Sequence, residues 1–203
     1  MKTIMSLGCW RIVSLFSAQK SARIHLREIA RKSKLNENSA SIFLHRLEKT
    51  GILSSQKDGN LKKYSLQPGL RTYALLAVMD VERFSQLPSL RRNAITCFLD
   101  KLPQQPVFVI LFGSTAHGNF SKESDIDVIL AVNSRIPTKH AVEFAESQTS
   151  IIINPLQLPY RAFRNEIKLK KDQVIQAGIH TGYPLTNHIN YYQLYHNETG
   201  GFP

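Results

Sequence analysis

The sequence predicts an α+β protein in two parts. Helical apolar periodicity closing on a hairpin pattern fills the first third, and apolar strands interleaved with helices fill the remainder. Charge divides at the same place. Residues 1–70 hold 13 Lys and Arg against 4 Asp and Glu, whereas residues 71–203 hold 13 against 11. A basic segment with helical patterning reads as a nucleic-acid-facing module, because lysines and arginines displace counterions from phosphates; a solvated basic surface gives the same composition. The boundaries read from the sequence are 1–69, a connecting helix over 70–88, and 89–203.

With 42% hydrophobic and 20% charged residues the chain can build real cores. Its longest apolar runs, such as Val107 to Phe112, are far too short to span a bilayer, so no membrane partner is expected. Lys2, the apolar stretch to Phe16 and Leu7-Gly8-Cys9 imitate a secretion signal, but the run before Cys9 is short and Arg11 interrupts any longer one. Two distant cysteines, Cys9 and Cys97, imply no disulfide framework, and the expected compartment is the cytoplasm.

Taken in order, residues 8–18 carry a helical stripe of Ile12, Val13, Leu15 and Phe16. A second helix is read over Ile24 to Ser33. After a break at Lys34-Leu35-Asn36, Asn36 or Asn38 caps a third helix through Ala40, Leu44 and Leu47 to Lys49, and Gly51 stops it. Residues 52–57 and 61–66 read as strands joined by Asp58-Gly59-Asn60. The pattern Leu26-Arg-Glu-Ile29-Ala30, Leu35 to Ser41, and Leu44-His-Arg-Leu47-Glu-Lys-Thr-Gly51-Ile-Leu53 resembles the winged helix-turn-helix repressor superfamily, three helices plus a β-hairpin. The resemblance implies that the third helix enters a major groove of double-stranded DNA, presenting Ser39, Ser41, Ile42, His45, Arg46 and Lys49, with Lys57, Lys62 and Lys63 on the wing. Such a module also serves as a dimerisation or docking platform.

Pro68-Gly69 marks the next boundary. A helix over Leu70 to Phe84 follows, a connector or a homodimer contact, then Pro88 and a helix over Leu90 to Leu99. Val107 to Phe112 reads as a buried strand running directly into Gly113-Ser114. Ser124-Asp125-Ile126-Asp127-Val128 begins another strand, on which alternation projects Asp125 and Asp127 to one face. Two carboxylates beside a turn of backbone N–H groups suit Mg²⁺ (or Mn²⁺) with a triphosphate, because magnesium takes few protein carboxylates plus substrate phosphates.

The motif Phe112-Gly113-Ser114-Thr-Ala116-His117-Gly118, then Ser124-Asp125-Ile126-Asp127-Val128, resembles the nucleotidyltransferase superfamily that includes DNA polymerase β, in its minimal form. The resemblance implies a C-terminal α/β domain with a mixed sheet. Gly113, Ser114, His117 and Ser124 would bind a nucleoside triphosphate, and Asp125 and Asp127 would hold metal and act in catalysis. Two departures bear on activity. His117 stands where the family has arginine, and the next strand, read as Thr149 to Pro155, has no acid; Asn154 or Ser150 takes that position. Glu143 and Glu146 lie on the preceding helix.

Beyond the motif, a turn at Pro159 to Phe163 and a helix to Ala177 are read; residues 178–185 resemble the ending of small nucleotidyltransferases, where a short strand closes the sheet, and the tail from Asn187 shows no clear fold. The basic run Arg161, Arg164, Lys168, Lys170 and Lys171 reads as a solvated face or as the flank of an acidic substrate, and the histidines show no zinc spacing. Three functions follow from the resemblances: an active nucleotidyltransferase using an NTP on a protein, RNA or small-molecule acceptor; a DNA-binding regulator with a nucleotide-sensing domain; and an antitoxin-like partner.

Overall fold

The structure, a computed structural model, describes residues 6–202, so Lys2 of the signal-like start lies outside it. The fold is α+β, with ten helices among the described residues, and the chain forms two compact units. The first runs to Met79 and takes in the last residues from Gly200; the second is Asp80–Thr199.

In the first unit α1 (Leu7–Ala18), α2 (Leu26–Ser33) and α3 (Glu37–Lys49) enclose Ile12, Val13, Phe16, Ile29, Leu44 and Leu47, all buried. Gly8 lies against the Phe43 ring, so any side chain there would hold α1 and α3 apart. Asn36 caps α3 by accepting from Ser39 N–H at 2.8 Å. Ile24 and His25 are not the start of a helix: they form β1 (Ile24–His25), with Ile24 opposite Tyr64, and His25 then caps α2. β1 pairs with β3 (Leu61–Leu66), which pairs with β2 (Leu53–Asp58), all antiparallel. Gly59, at φ +58°, makes the turn between β2 and β3.

The next helix, α4 (Leu70–Ser85), contains the division between the units. The second unit is built on β4 (Phe108–Phe112), β5 (Ile126–Val132), β6 (Ile153–Pro159) and β7 (Tyr183–Pro184), in the order β6-β5-β4-β7. β4 runs antiparallel to β5 and β7, and β5 parallel to β6, so the sheet is mixed. β6 holds Pro155 and Pro159, which donate nothing, and it lies at the edge, where a missing N–H breaks no ladder. One sheet face, with Val109, Leu111, Val128 and Leu130, packs on Ile95 and Phe98 of α5 (Ser89–Asp100) and on Ala141 and Ala145 of α7 (Lys139–Thr149). The other meets Phe163 of α8 (Tyr160–Leu169), α9 (Gln173–Thr181) and Tyr191 of α10 (His188–Thr199); Phe108 stacks edge-on against Phe163 at 5.1 Å and Tyr191 at 5.5 Å.

Four further expectations need correction. Thr149 and Ser150 are not strand residues: Thr149 ends α7 with its hydroxyl on Ala145 O, and Ser150 takes the left-handed cap at φ +57°. The helix read to Ala177 is two, because Lys170 is left-handed at φ +51° and the Glu166 carboxylate accepts the N–H groups of Lys171 and Asp172 across the break. Of 178–185, the first half ends α9, and the closing strand is only Tyr183–Pro184. The tail is folded: α10 buries Tyr191, Tyr192, Leu194 and Tyr195. Among the described residues no helix is long and apolar enough to cross a membrane.

Candidate nucleotide and metal site

The site forms where β4 ends beside the start of β5. Phe112 lies opposite Asp127 in the antiparallel register, which places the residue after Phe112 against that carboxylate. That residue is Gly113, at φ +71°. A Cβ built there would sit 2.6 Å from Asp127 Oδ2, so only glycine fits both the backbone angle and the space. The chain then makes one short helix, α6 (Gly113–His117), which carries Ser114 and ends on the left-handed Gly118.

Asp125 precedes β5 and Asp127 lies on it, both partly exposed, while Ile126 and Val128 are buried on the α5/α7 side. Asp127 is paired in register with Asn154 of β6, and the Asn154 amide donates to Asp125 Oδ2 at 3.1 Å. Asn154 therefore lies beside the two acids, whereas Ser150 does not share its strand. Glu143 and Glu146 are exposed on α7, the helix that covers the opposite face of the sheet.

His117 turns back on its own helix, with Nδ1 2.8 Å from Gly113 O. A carbonyl only accepts, so Nδ1 carries the proton and Nε2 faces outward. Ser124 hydroxyl accepts from Ser121 N–H at 2.9 Å and lies 3.0 Å from the Ser121 hydroxyl, closing the loop ahead of Asp125. That loop is held from behind by Arg91 of α5, which reaches Thr115, Ser121 O and Ser124 O. Sequence reading missed Arg91. The available signal was its place on the buried stripe Arg91, Ala94, Ile95, Phe98, where a charge needs a polar partner.

The donor set suits one hard divalent cation with an anionic ligand. Asp125 and Asp127 both flank Asn154, Gly113 places no side chain against Asp127, and the Asn154 amide can rotate to offer its oxygen. Among the described residues no cluster of three or more His, Cys, Asp or Glu side chains is assembled, so a cation here would depend on ligand phosphates for its remaining contacts.

In the first unit, Ser41, Ile42, His45, Arg46 and Lys49 are exposed on α3 and Ser39 is half-buried. Lys57 is exposed on β2. Lys62 pairs with Glu48 at 3.1 Å and Lys63 with Asp58 at 2.6 Å, so two of the three predicted wing cations already have carboxylate partners. Of the basic run on α8, Arg164 and Lys168 both pair with Glu198, at 2.5 and 2.7 Å.

Comparison with curated proteins and with solved structures gives no match. Residues 93–180, which carry the whole constellation from Gly113 to Asn154, match the family model described as Polymerase beta, Nucleotidyltransferase, and this supports a nucleotidyltransferase domain over that stretch.

Proposed function

We propose that the second unit binds a nucleoside triphosphate with Mg²⁺ or Mn²⁺ and transfers its nucleoside monophosphate to an acceptor hydroxyl on a protein, an RNA or a small molecule. One observation carries this reading: the Phe112–Asp127 pair brings the Gly113-Ser114 turn against the Asp127 carboxylate, two residues from Asp125 and inside the matched stretch. In the transfer, the acceptor oxygen attacks the α-phosphorus, the bond to the α,β-bridging oxygen breaks, pyrophosphate departs, and the hydroxyl proton passes to solvent. A bound divalent cation supplies charge neutralisation at the phosphates. Asp125 and Asp127 hold it, Ser114 and the N–H groups after Gly113 receive phosphate oxygens, and outward His117 Nε2 adds a donor when protonated. Incubation with Mg²⁺ and each labelled NTP should label the protein or a lysate component, and Asp127→Ala should abolish the label. Labelling that survives Asp127→Ala would overturn the assignment.

A second reading has its own support. Asn154, beside Asp125, can ligate but is no general base, which favours a nucleotide-sensing site without turnover. Tight nucleotide binding without pyrophosphate release would select it.

For the first unit we propose a winged helix-turn-helix that binds double-stranded DNA through α3, with the α4 segment as connector or homodimer contact and the cytoplasm as its compartment. The basic surplus and the exposed row Ser41, His45, Arg46, Lys49 and Lys57 support this. Duplex binding that weakens steeply with salt and drops on Arg46→Ala is expected; no duplex binding at low salt would remove DNA from the account.

A further inference from the structure

We infer that Arg91 is a positioning residue for the metal–nucleotide cradle, tying the turn behind Ser114 to the loop ahead of Asp125. The inference rests on the nucleotidyltransferase reading and adds a residue to it. Arg91 is 3% exposed, yet among the described residues its hydrogen bonds go to a hydroxyl and two carbonyls, not to a carboxylate. One guanidinium nitrogen donates to Thr115 Oγ1 at 2.7 Å, and the other to Ser121 O at 2.9 Å and Ser124 O at 2.7 Å. Its plane lies over the Phe120 ring, 4.1 Å from the centroid.

Each contact bears on the site. Thr115 directly follows Ser114, and its hydroxyl lies 3.5 Å from the carbonyl of Asp125 itself. Ser124 directly precedes Asp125. Three acceptors and one ring thus fix the two halves of the motif, separated by ten residues of chain, to a single rigid fork. The loop between them, residues 118–124, is mostly exposed and contributes Phe120 alone as an apolar anchor.

The physical consequence is a relation between Arg91 geometry and ligand affinity. A guanidinium meets three acceptors on two segments at once; an ammonium is a point donor on a flexible stem and cannot span them. Burial pushes the Arg91 guanidinium below its ordinary pKa, while the Asp125 charge works the other way, yet it stays protonated at any working pH. Outer contacts that orient metal ligands commonly change metal affinity about 10–100-fold when removed.

The test measures affinity rather than turnover. Mn²⁺ binding in the presence of ATP is followed by electron paramagnetic resonance on the full chain, with circular dichroism confirming the folded fraction. Wild type should bind and Asp127→Asn should not, which establishes the cradle independently. Arg91→Lys should then weaken Mn²⁺–ATP binding about 10-fold or more while Mn²⁺ affinity for free ATP is unchanged. Thr115→Val, which keeps the shape and removes the hydroxyl, should weaken it several-fold. Wild-type affinity in a folded Arg91→Lys overturns the positioning role and leaves the cradle standing. If Arg91→Lys does not fold, Thr115→Val decides alone, and unchanged affinity overturns the role. Absence of wild-type binding would sink the cradle and this inference together.

Discussion

The two units dispose of charge in opposite ways. The first holds most of the net charge, and its ion pairs lie where water reaches them: Lys32 with Glu28 at 2.8 Å, Lys62 with Glu48 at 3.1 Å and Lys63 with Asp58 at 2.6 Å. Lys20, 4% exposed, is its exception. The second unit is nearly neutral overall but buries Arg91, Asp80 and Glu166 at 3, 2 and 8% exposure. Exposed pairs contribute at most about 1 kcal/mol each, because water and salt screen them. Buried ionisable groups cost several kcal/mol unless every polar contact is made, so they persist where they fix geometry. In the first unit charge stays at the surface, where the proposed DNA partner would meet it; in the second, buried charge fixes local geometry, Arg91 beside the candidate site among it.

The largest expected effect is therefore at Asp80. It accepts from the Tyr192 hydroxyl at 2.6 Å and pairs with Arg83 at 4.0 Å; Arg83 lies 4.1 Å over the Tyr183 ring and donates to Ala116 O at 3.3 Å. Burial, with Asp80 adding to it, holds the Tyr192 phenol well above its ordinary pKa, and burial pushes Tyr183 up to about 12 against the opposing Arg83 charge, so both phenols stay neutral. Asp80→Ala removes the carboxylate that accepts from Tyr192 and should cost about 3 kcal/mol in denaturant unfolding. A loss below about 1 kcal/mol would break the comparison, since a buried carboxylate would then behave like an exposed one.

Two glycines sharpen it next. Gly59 and Gly113 both have positive φ, +58° and +71°. A Cβ at Gly59 meets nothing, whereas at Gly113 it meets Asp127. Gly59→Ala should cost about 1 kcal/mol of backbone strain. Gly113→Ala should cost about 2 kcal/mol or more and should also weaken Mn²⁺–ATP binding over tenfold, because Asp127 must move. Equal stability losses with intact binding would show that the close approach does not shape the cradle.

Asn154→Asp comes third. It places a third carboxylate beside Asp125, so affinity for the cation should rise about tenfold while the metal-free protein loses roughly 1 kcal/mol to like-charge repulsion. Gain of turnover on this single change would identify the amide as what restrains the chemistry. Unchanged metal affinity would place Asn154 outside the coordination sphere.

Legibility followed the range of the contacts involved. The Asn36 cap, the Gly59 turn, the Gly113 turn and the Asp125–Asp127 pair depend on neighbours within a few residues, and local pattern reading reaches them. Arg91 meets Thr115 and Ser124 across 24 and 33 residues, and Asp80 meets Tyr192 across 112, distances over which periodicity carries no information. One local trace existed. Arg91 and Asp80 both sit on buried helix stripes, Arg91 with Ala94, Ile95 and Phe98, Asp80 with Tyr73 and Leu76. The α8–α9 break was misread for a different reason: its contacts span only five and six residues, but Glu166 lies on the stripe of Phe163 and Ile167, and no glycine or proline marks the break that its carboxylate holds.

The smallest effect tests the other side of the comparison. The Ser55 hydroxyl and Lys62 both donate to Glu48, and these bonds hold its carboxyl below the ordinary value of 4.5. A carboxyl whose folded pKa lies below its unfolded one adds stability that is complete above about pH 4.5 and is lost as pH falls through the folded value. Glu48→Gln should therefore lower stability by at most about 1 kcal/mol at neutral pH, and the difference from wild type should vanish in acid. The same pair predicts a small effect on duplex binding. Lys57 has an exposed side chain, so Lys57→Ala should reduce the slope of log affinity against log salt by about 0.9 if it meets a phosphate. Lys62 already faces a carboxylate and has less counterion to release, so Lys62→Ala should change the slope by clearly less. A larger slope change for Lys62 than for Lys57 would mean that the Glu48 pair opens on DNA, and the wing would then approach the duplex through β3 rather than β2.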